Sequence, residues 1–227
     1  MIEFLLLIPV FLAILSPLFK KGGILVGILF TAIFLHCGTV LYFWCCGYES
    51  ISGYFKMDSA GFLFLILMDL VFFGTAFYSG ELLSVLNGRM RQYFLTFLLL
   101  FYSAMTGILI SSNVGILWVF MGATTITITP LIYFSKTRES LEATWKYIFM
   151  NSVGIGLAFI GVLILGLSAG PGIHSLDMDF LIQNASSLSP HWLKISFVFF
   201  ILGFGMKSAL APVHVVIVDA YSNAPSL

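Results

Sequence analysis

The chain has 227 residues, of which 60% are hydrophobic and 9% are charged, whereas a soluble domain carries about 25% charged residues. This composition excludes a soluble globular domain and predicts an all-α, polytopic transmembrane helix bundle. The formal net charge at pH 7 is zero, which gives no support for nucleic-acid binding.

The first apolar run is followed, not preceded, by the basic pair Lys20–Lys21, so we predict a first span instead of a signal peptide. In all, seven stretches are long and apolar enough to cross a bilayer as helices. They cover residues 2–19, 23–46, 60–79, 93–111, 114–134, 143–168 and 193–217. The longest connection, 169–192, opens with a Gly/Pro turn and holds enough apolar residues for a short surface helix.

The loops between the spans differ in their content of basic residues, which sets the orientation of a membrane protein. Only Lys56 and Lys194 lie in loops on one side. Six basic residues lie in loops one, three and five, namely Lys20, Lys21, Arg89, Arg91, Lys136 and Arg138. We therefore expect these three loops in the cytoplasm and the N-terminus outside.

Spans two and three carry polar residues in apolar surroundings. His36 lies in the middle of span two, either as a packing histidine or as a proton carrier. Cys37 and the Cys45–Cys46 pair form no CxxC motifs, so packing is favoured over a redox metal centre bound by this chain alone. Asp69 lies near the centre of span three, where an acid must be neutral, paired or facing a polar cavity. Its partner cannot be named from the sequence.

Span five has a polar strip, because Gly122, Thr125 and Thr129 recur on one helix face. Threonines in membrane helices usually bond their own backbone carbonyls, and the strip serves either a water path or close helix packing. At the start of span six, Glu142 and Lys146 form an i, i+4 pair in the favourable order. This pair either anchors the helix at the membrane boundary or belongs to an ion path.

Span seven places Lys207 inside an apolar run and Pro212 five residues later. A lysine at membrane depth costs roughly 2.5–3.5 kcal/mol, and a proline breaks the helical hydrogen-bond ladder beside it. Broken helices are tolerated at this depth where they are buried in protein or line a wet cavity. We therefore predict an ion-handling element of Lys207, Pro212, His214 and Asp219, with Lys207 reaching to an interface as the alternative.

Three ordered segments, LWVFMGATT, SLEATWKYIFMNSVGIGLA and GFGMKSALAPVHVVIVDAYSNAPS, resemble successive motifs of the antiporter-like membrane subunits. Such subunits occur in respiratory complex I, in multisubunit sodium/proton antiporters and in group 4 hydrogenases. SLEATWKY and DAYSNAPS are most similar to the large antiporter-like subunit of hydrogenase-4 and formate-hydrogenlyase complexes. The resemblance runs from about Tyr54 to the end of the chain and divides it into N-terminal helices 1–3 (1–92) and a partial antiporter-like repeat, helices 4–7 (93–227).

The resemblance implies a proton-translocating subunit that carries no cofactor and catalyses no redox reaction itself. Its partners would be the other membrane and peripheral subunits of a hydrogenase or complex I-like assembly in a prokaryotic inner membrane. Lys207 matches the family's span-seven lysine, Lys146 matches a lysine at the start of span six, and His214 sits in the APxH segment. Asp69 and Glu142 complete the predicted proton path.

Two departures from the family pattern weigh against this function. The acidic position of the family's WVxxEATT motif is Gly122 here, which removes a charge partner of Lys207, and the xPDA segment has become IVDA. Family members also have about twice as many spans in two inverted repeats, whereas this chain stops at Leu227. The expectation is an N-terminal fragment or a truncated gene product, and the alternative functions are a structural subunit without transport and a free cation/proton antiporter.

Overall fold

The structure, a computed structural model, describes residues 2–46, 53–169 and 175–210, apart from the side chains of residues 84 and 85. Within these ranges it contains eight α-helices and no β-strand. Helices α1 to α8 cover Phe4–Leu15, Gly22–Cys45, Ser59–Val85, Gly88–Ile110, Val114–Ile132, Arg138–Ser168, Met178–Gln183 and Pro190–Lys207. The predicted all-α membrane bundle is confirmed, and the short helix predicted in the connection at 169–192 is α7.

Five helical segments of the described chain are long and apolar enough to cross a membrane. They are Gly22–Cys45, Ser59–Leu83, Gly88–Ile110, Val114–Ser135 and Arg138–Ser168. The first of the seven predicted spans is a shorter helix that ends in a 3-10 turn, Phe4–Leu18. The seventh, α8, has only 18 residues and begins with polar side chains, among them Lys194.

Capping side chains set the starts of α5 and α6, and apolar length alone misplaced the start of α6. Thr137 and Ser140 form a capping box, with both backbone-to-side-chain hydrogen bonds at 3.0 Å, so α6 begins at Arg138 and not at residue 143. Asn113 accepts from the Gly115 N–H at 2.9 Å and starts α5. Such caps satisfy backbone donors that the first helical turn would otherwise leave without partners.

The described part of the chain forms two units, one up to Ser111 and one from Ser112 onward. In the first, α1 packs against α4 and α2 packs against α3, around fully buried leucines such as Leu29, Leu65 and Leu99. Polar contacts also join α1 to α4, since the Ser103 hydroxyl donates to the Leu6 carbonyl at 3.0 Å. The motifs divide the sequence between residues 92 and 93, near the start of α4. In the packing, α4 belongs to the same unit as α1–α3.

In the second unit, α5 and α8 both pack against α6. The α6–α8 contact is close because small residues face each other. A Cβ atom on Gly203 would lie 2.5 Å from the Ala158 nitrogen and 2.7 Å from the Gly154 carbonyl oxygen. The Trp118 indole donates to the Ile155 carbonyl at 2.9 Å and joins α5 to α6. This packing brings the C-terminal end of α8 to side chains of α5 and α6.

Candidate functional site

Helix α8 ends at Lys207, earlier than the predicted break near Pro212. The Leu210 N–H donates to the Gly205 carbonyl and the Ser208 N–H to the Phe204 carbonyl, both at 2.9 Å. Ala209 has φ of 56°, so this is a Schellman ending with alanine in the left-handed position that glycine usually takes. Lys207 is therefore at a helix end and not in mid-helix. Pro212, His214 and Asp219 lie outside the described residues.

The Lys207 ammonium group joins three helices. Its Nζ donates to Thr125 Oγ1 of α5 at 2.7 Å and to Tyr147 Oη of α6 at 3.4 Å. The same nitrogen lies 5.7 Å from the centroid of the Tyr147 ring, within cation–π range. Thr125 lies about 16 Å from the start of α5 and about 10 Å from its end. The Lys207 ammonium group thus lies beside the middle part of α5, a helix long and apolar enough to cross a membrane.

Within the polar strip of α5, Thr125 is the residue that accepts a hydrogen bond from Lys207. The hydroxyls of Thr124, Thr127 and Thr129 donate to backbone carbonyls of their own helix, as predicted for membrane threonines. The Thr125 hydroxyl is 3.4 Å from the Met121 carbonyl, to which it donates, and its oxygen accepts from Lys207. A buried oxygen is therefore presented to the ammonium group on the predicted face.

Sequence reasoning missed Tyr147. The signal for it was present, because Tyr147, Asn151 and Gly154 follow one another at i, i+4 and i+7 and share one face of α6. Asn151 and Gly154 make this face polar and lined with small residues. Tyr147 is buried, and its backbone carbonyl accepts from the Asn151 amide at 2.9 Å. It was overlooked because a tyrosine between apolar residues resembles ordinary packing.

The ammonium group has neutral partners. Within the described part of the second unit, no carboxylate forms an ion pair with Lys207. Gly122 lies one helical turn before Thr125 on α5, and a Cβ atom added there would meet nothing within 4 Å. The position that carries the acid in the family pattern is therefore open and close to the oxygen that receives the lysine.

Glu142 and Lys146 form the predicted pair, with 2.9 Å between Oε1 and Nζ. Their side chains are 67% and 48% exposed, and neither is among the contacts of the Lys207 ammonium group. Such an exposed pair contributes roughly 0.3–0.5 kcal/mol to helix stability. This geometry suits a helix anchor at the membrane boundary, and a place in the proton path remains a prediction.

Asp69 pairs with a residue that the sequence could not name. In the first unit, its Oδ1 lies 2.9 Å from Nδ1 of His36 and accepts a hydrogen bond from Tyr102 Oη at 2.5 Å. The other ring nitrogen of His36 is 3.1 Å from Thr106 Oγ1. All four residues are buried. These four residues thus form a second polar cluster, within the first unit.

Comparison with known proteins places this geometry in a family context. Residues 111–227 match the family model described as "NADH:quinone oxidoreductase/Mrp antiporter, TM". The chain is 30% identical over 185 residues to the hydrogenase-4 component F homolog of Methylacidiphilum infernorum, covering 77% of this chain and 39% of that protein. It is also 30% identical over 188 residues to NADH-quinone oxidoreductase subunit N 2 of Acidobacterium capsulatum, covering 79% and 37%.

The fold is shared with solved membrane complexes. A subunit in the structure of the membrane-bound sulfane sulfur reductase, an archaeal respiratory membrane complex, superposes with a TM-score of 0.85 at 22% identity. The match covers 99% of this chain and 48% of that subunit. The chain therefore spans between a third and a half of the length of these relatives.

Proposed function

Because the chain belongs to the NADH:quinone oxidoreductase/Mrp antiporter family of membrane proteins, we propose that it translocates protons as a non-redox subunit. In this proposal Lys207 binds and releases the moving proton. The observation that supports it is the contact of the Lys207 ammonium group with Thr125 and Tyr147, where α5, α6 and α8 meet.

The partners of Lys207 suit both protonation states of an amine. A charged lysine donates to the oxygens of Thr125 and Tyr147. A neutral lysine still donates to Thr125, while its lone pair can accept from the phenolic O–H of Tyr147, which is both donor and acceptor. No described carboxylate of the second unit fixes the charge. The contact can therefore persist while the proton arrives and leaves.

The end of α8 supplies part of the stabilisation that a carboxylate would give. Backbone carbonyls at a helix C-terminus attract a cation in the last turn, by up to about 2 kcal/mol in partly buried positions. A carboxylate about 4 Å away would contribute roughly 4 kcal/mol at an effective dielectric constant near 20. Lys207 in the last turn of α8 thus keeps electrostatic support for its charged form, though less than a glutamate at position 122 would add.

We extend the proposal to partners and location from the family. The redox chemistry would belong to other membrane and peripheral subunits of a hydrogenase- or complex I-like assembly. The chain would lie in a prokaryotic inner membrane with its N-terminus outside, in accordance with the distribution of basic residues between its loops.

Replacement of the lysine in the assembled complex tests the proposal. In native membrane vesicles, Lys207→Ala should abolish proton translocation coupled to turnover while the redox activity of the assembly persists. Lys194→Ala is the matched control, because Lys194 is an exposed lysine at the start of the same helix, and it should leave translocation unchanged.

The presence of Gly122 at the family's acidic position favours a second candidate function. In it, the chain is a structural membrane subunit that tethers partners without transport. In this case the complex would assemble with Lys207→Ala and its coupling would be unaltered. Loss of coupling in Lys207→Ala but not in Lys194→Ala would exclude the structural candidate.

A further inference from the structure

We propose that His36 and Asp69 form a proton-binding site in the first unit, which takes up and releases one proton at membrane depth. The site is independent of Lys207, since all its residues belong to α2, α3 and α4. Its parts are an acid, an imidazole, the Tyr102 phenol and the Thr106 hydroxyl, which contact one another at 2.5–3.1 Å.

The residues meet at a common depth. His36 lies about 14 Å before the end of α2, Asp69 about 15 Å after the start of α3, and Tyr102 about 12 Å before the end of α4. These three helix ends face the same side of a bundle in which successive spans alternate in direction. The cluster therefore lies near the middle of a hydrocarbon core about 30 Å thick. At this depth an acid or an imidazole is costly and marks an ion pathway by default.

We call the cluster loaded when it holds the exchangeable proton. In this state the hydrogen bonds determine where the protons are. The Thr106 hydroxyl donates to the Tyr102 carbonyl at 3.0 Å, so its oxygen accepts from Nε2 of His36 at 3.1 Å. With one proton on Nε2, an unprotonated Nδ1 would face a carboxylate oxygen at 2.9 Å and repel it. A second proton must therefore lie on Nδ1 of His36 or on Asp69, and the pair is electrically neutral in either arrangement.

A second state with one proton fewer is available without moving a helix. If the Thr106 hydroxyl turns to donate to Nε2, His36 becomes the neutral Nδ1–H tautomer and donates toward an ionised Asp69. The phenol of Tyr102 still donates to Asp69 Oδ1 and supports the charge. Loading and unloading thus differ by one proton and by the rotation of one hydroxyl group, with Tyr102 as a positioning residue.

The cluster retains unused hydrogen-bonding capacity. Neither Nδ1 of His36 nor Oδ2 of Asp69 has a well-aligned hydrogen-bond partner among the described residues, although Nδ1 is 2.9 Å from Oδ1. A buried polar atom without such a partner is destabilising. His36 and Asp69 are only 0% and 4% exposed. A group kept only for packing would be expected to satisfy these atoms, whereas a site that gains and loses a proton needs the capacity.

Few other titratable groups face the pair. Cys37 on α2 and Tyr102 on α4 interact electrostatically with Asp69. Helix α1, which packs against α2 and α4, contains no titratable side chain between Phe4 and Leu15. The proton exchanged by the cluster is therefore assigned to His36 and Asp69.

Nuclear magnetic resonance of the assembled protein with ¹⁵N-labelled histidine tests the site. The His36 signals, identified by their loss in His36→Gln, should change from the loaded form to the neutral Nδ1–H tautomer as the pH is raised over the range in which the complex stays assembled. Asp69→Asn should abolish this change of tautomer. A single unchanging state of His36 across this range in the wild-type protein would overturn the proposal.

The hydroxyl rotation has its own control. Thr106→Val should remove the Nδ1–H tautomer, because no donor is then left for Nε2. Thr75→Val replaces a half-buried threonine that donates to its own helix at 2.9 Å, and it should leave the His36 titration unchanged. Identical titrations in wild type, Thr106→Val and Thr75→Val would contradict the proposed role of Thr106. Because the readout is at His36, failure here is distinguishable from failure of the proposal for Lys207.

Discussion

Lys207 and Thr125 are 82 residues apart in the sequence, and their side chains are joined by a hydrogen bond of 2.7 Å. Thr125 stands one helical turn after Gly122, the position at which the family pattern has an acid. The Lys207 ammonium group thus donates to a neutral hydroxyl oxygen, and position 122 beside it has room for a side chain. This relationship determines what a change at Gly122 should do.

Gly122→Glu should increase the number of protons translocated per turnover of the assembled complex. A Cβ atom at this position meets nothing within 4 Å, and a carboxylate near Lys207 would favour its charged form by roughly 4 kcal/mol. Gly122→Gln has nearly the same size without the charge and should give no gain. Equal effects of the two substitutions, or none from glutamate, would show that the missing acid does not limit this protein.

Gly203→Ala should destabilise the second unit. The added methyl group would lie 2.5 Å from the Ala158 nitrogen, so α6 and α8 must separate, at a cost of about 1–3 kcal/mol. Thermal unfolding of the purified complex measures this loss. Gly156→Ala is the control on α6, because its Cβ would meet nothing within 4 Å and should stabilise the helix by about 0.5–1 kcal/mol. Equal stability of the two variants would contradict the close packing described for Gly203.

Ala209→Gly should stabilise the end of α8. Alanine at φ of 56° places its Cβ too close to the backbone, and glycine relieves a cost of about 1 kcal/mol. Ser208→Gly is the matched control, because Ser208 has φ of −86° and gains nothing from glycine. Thermal unfolding should rank Ala209→Gly above wild type and Ser208→Gly at or below it. The reverse order would mean that the chain does not take the left-handed turn after Lys207.

Much of the fold could be predicted from apolar length, because a membrane helix must satisfy its backbone within itself. The positions of α2 to α6 followed from this constraint. The start of α6 did not, since it depends on the cap at Thr137. The end of α8 at Lys207 was also missed, because its Schellman turn uses an alanine where the sequence signal would be glycine.

The candidate site was predictable in part. A lysine in an apolar run indicates a functional site, because a charged side chain is energetically costly inside a membrane. The spacing of Thr125 from Gly122 places both residues on one helix face. Contacts between helices were not predictable, because one sequence does not say which faces meet. Tyr147 was missed for this reason, and so was the pairing of His36 with Asp69.

The contact between Lys207 and Thr125 is tested most directly by proton translocation in native membrane vesicles holding the complex with Thr125→Val. Valine keeps the shape of threonine but removes the oxygen that accepts from the ammonium group, a bond to a charged donor worth about 1.5–3 kcal/mol. We predict translocation slowed on the order of ten-fold or more. Thr127→Val removes a hydroxyl on the same helix that bonds only backbone carbonyls, and it should preserve the wild-type rate. Wild-type translocation in Thr125→Val, or equal losses in both variants, would contradict the account.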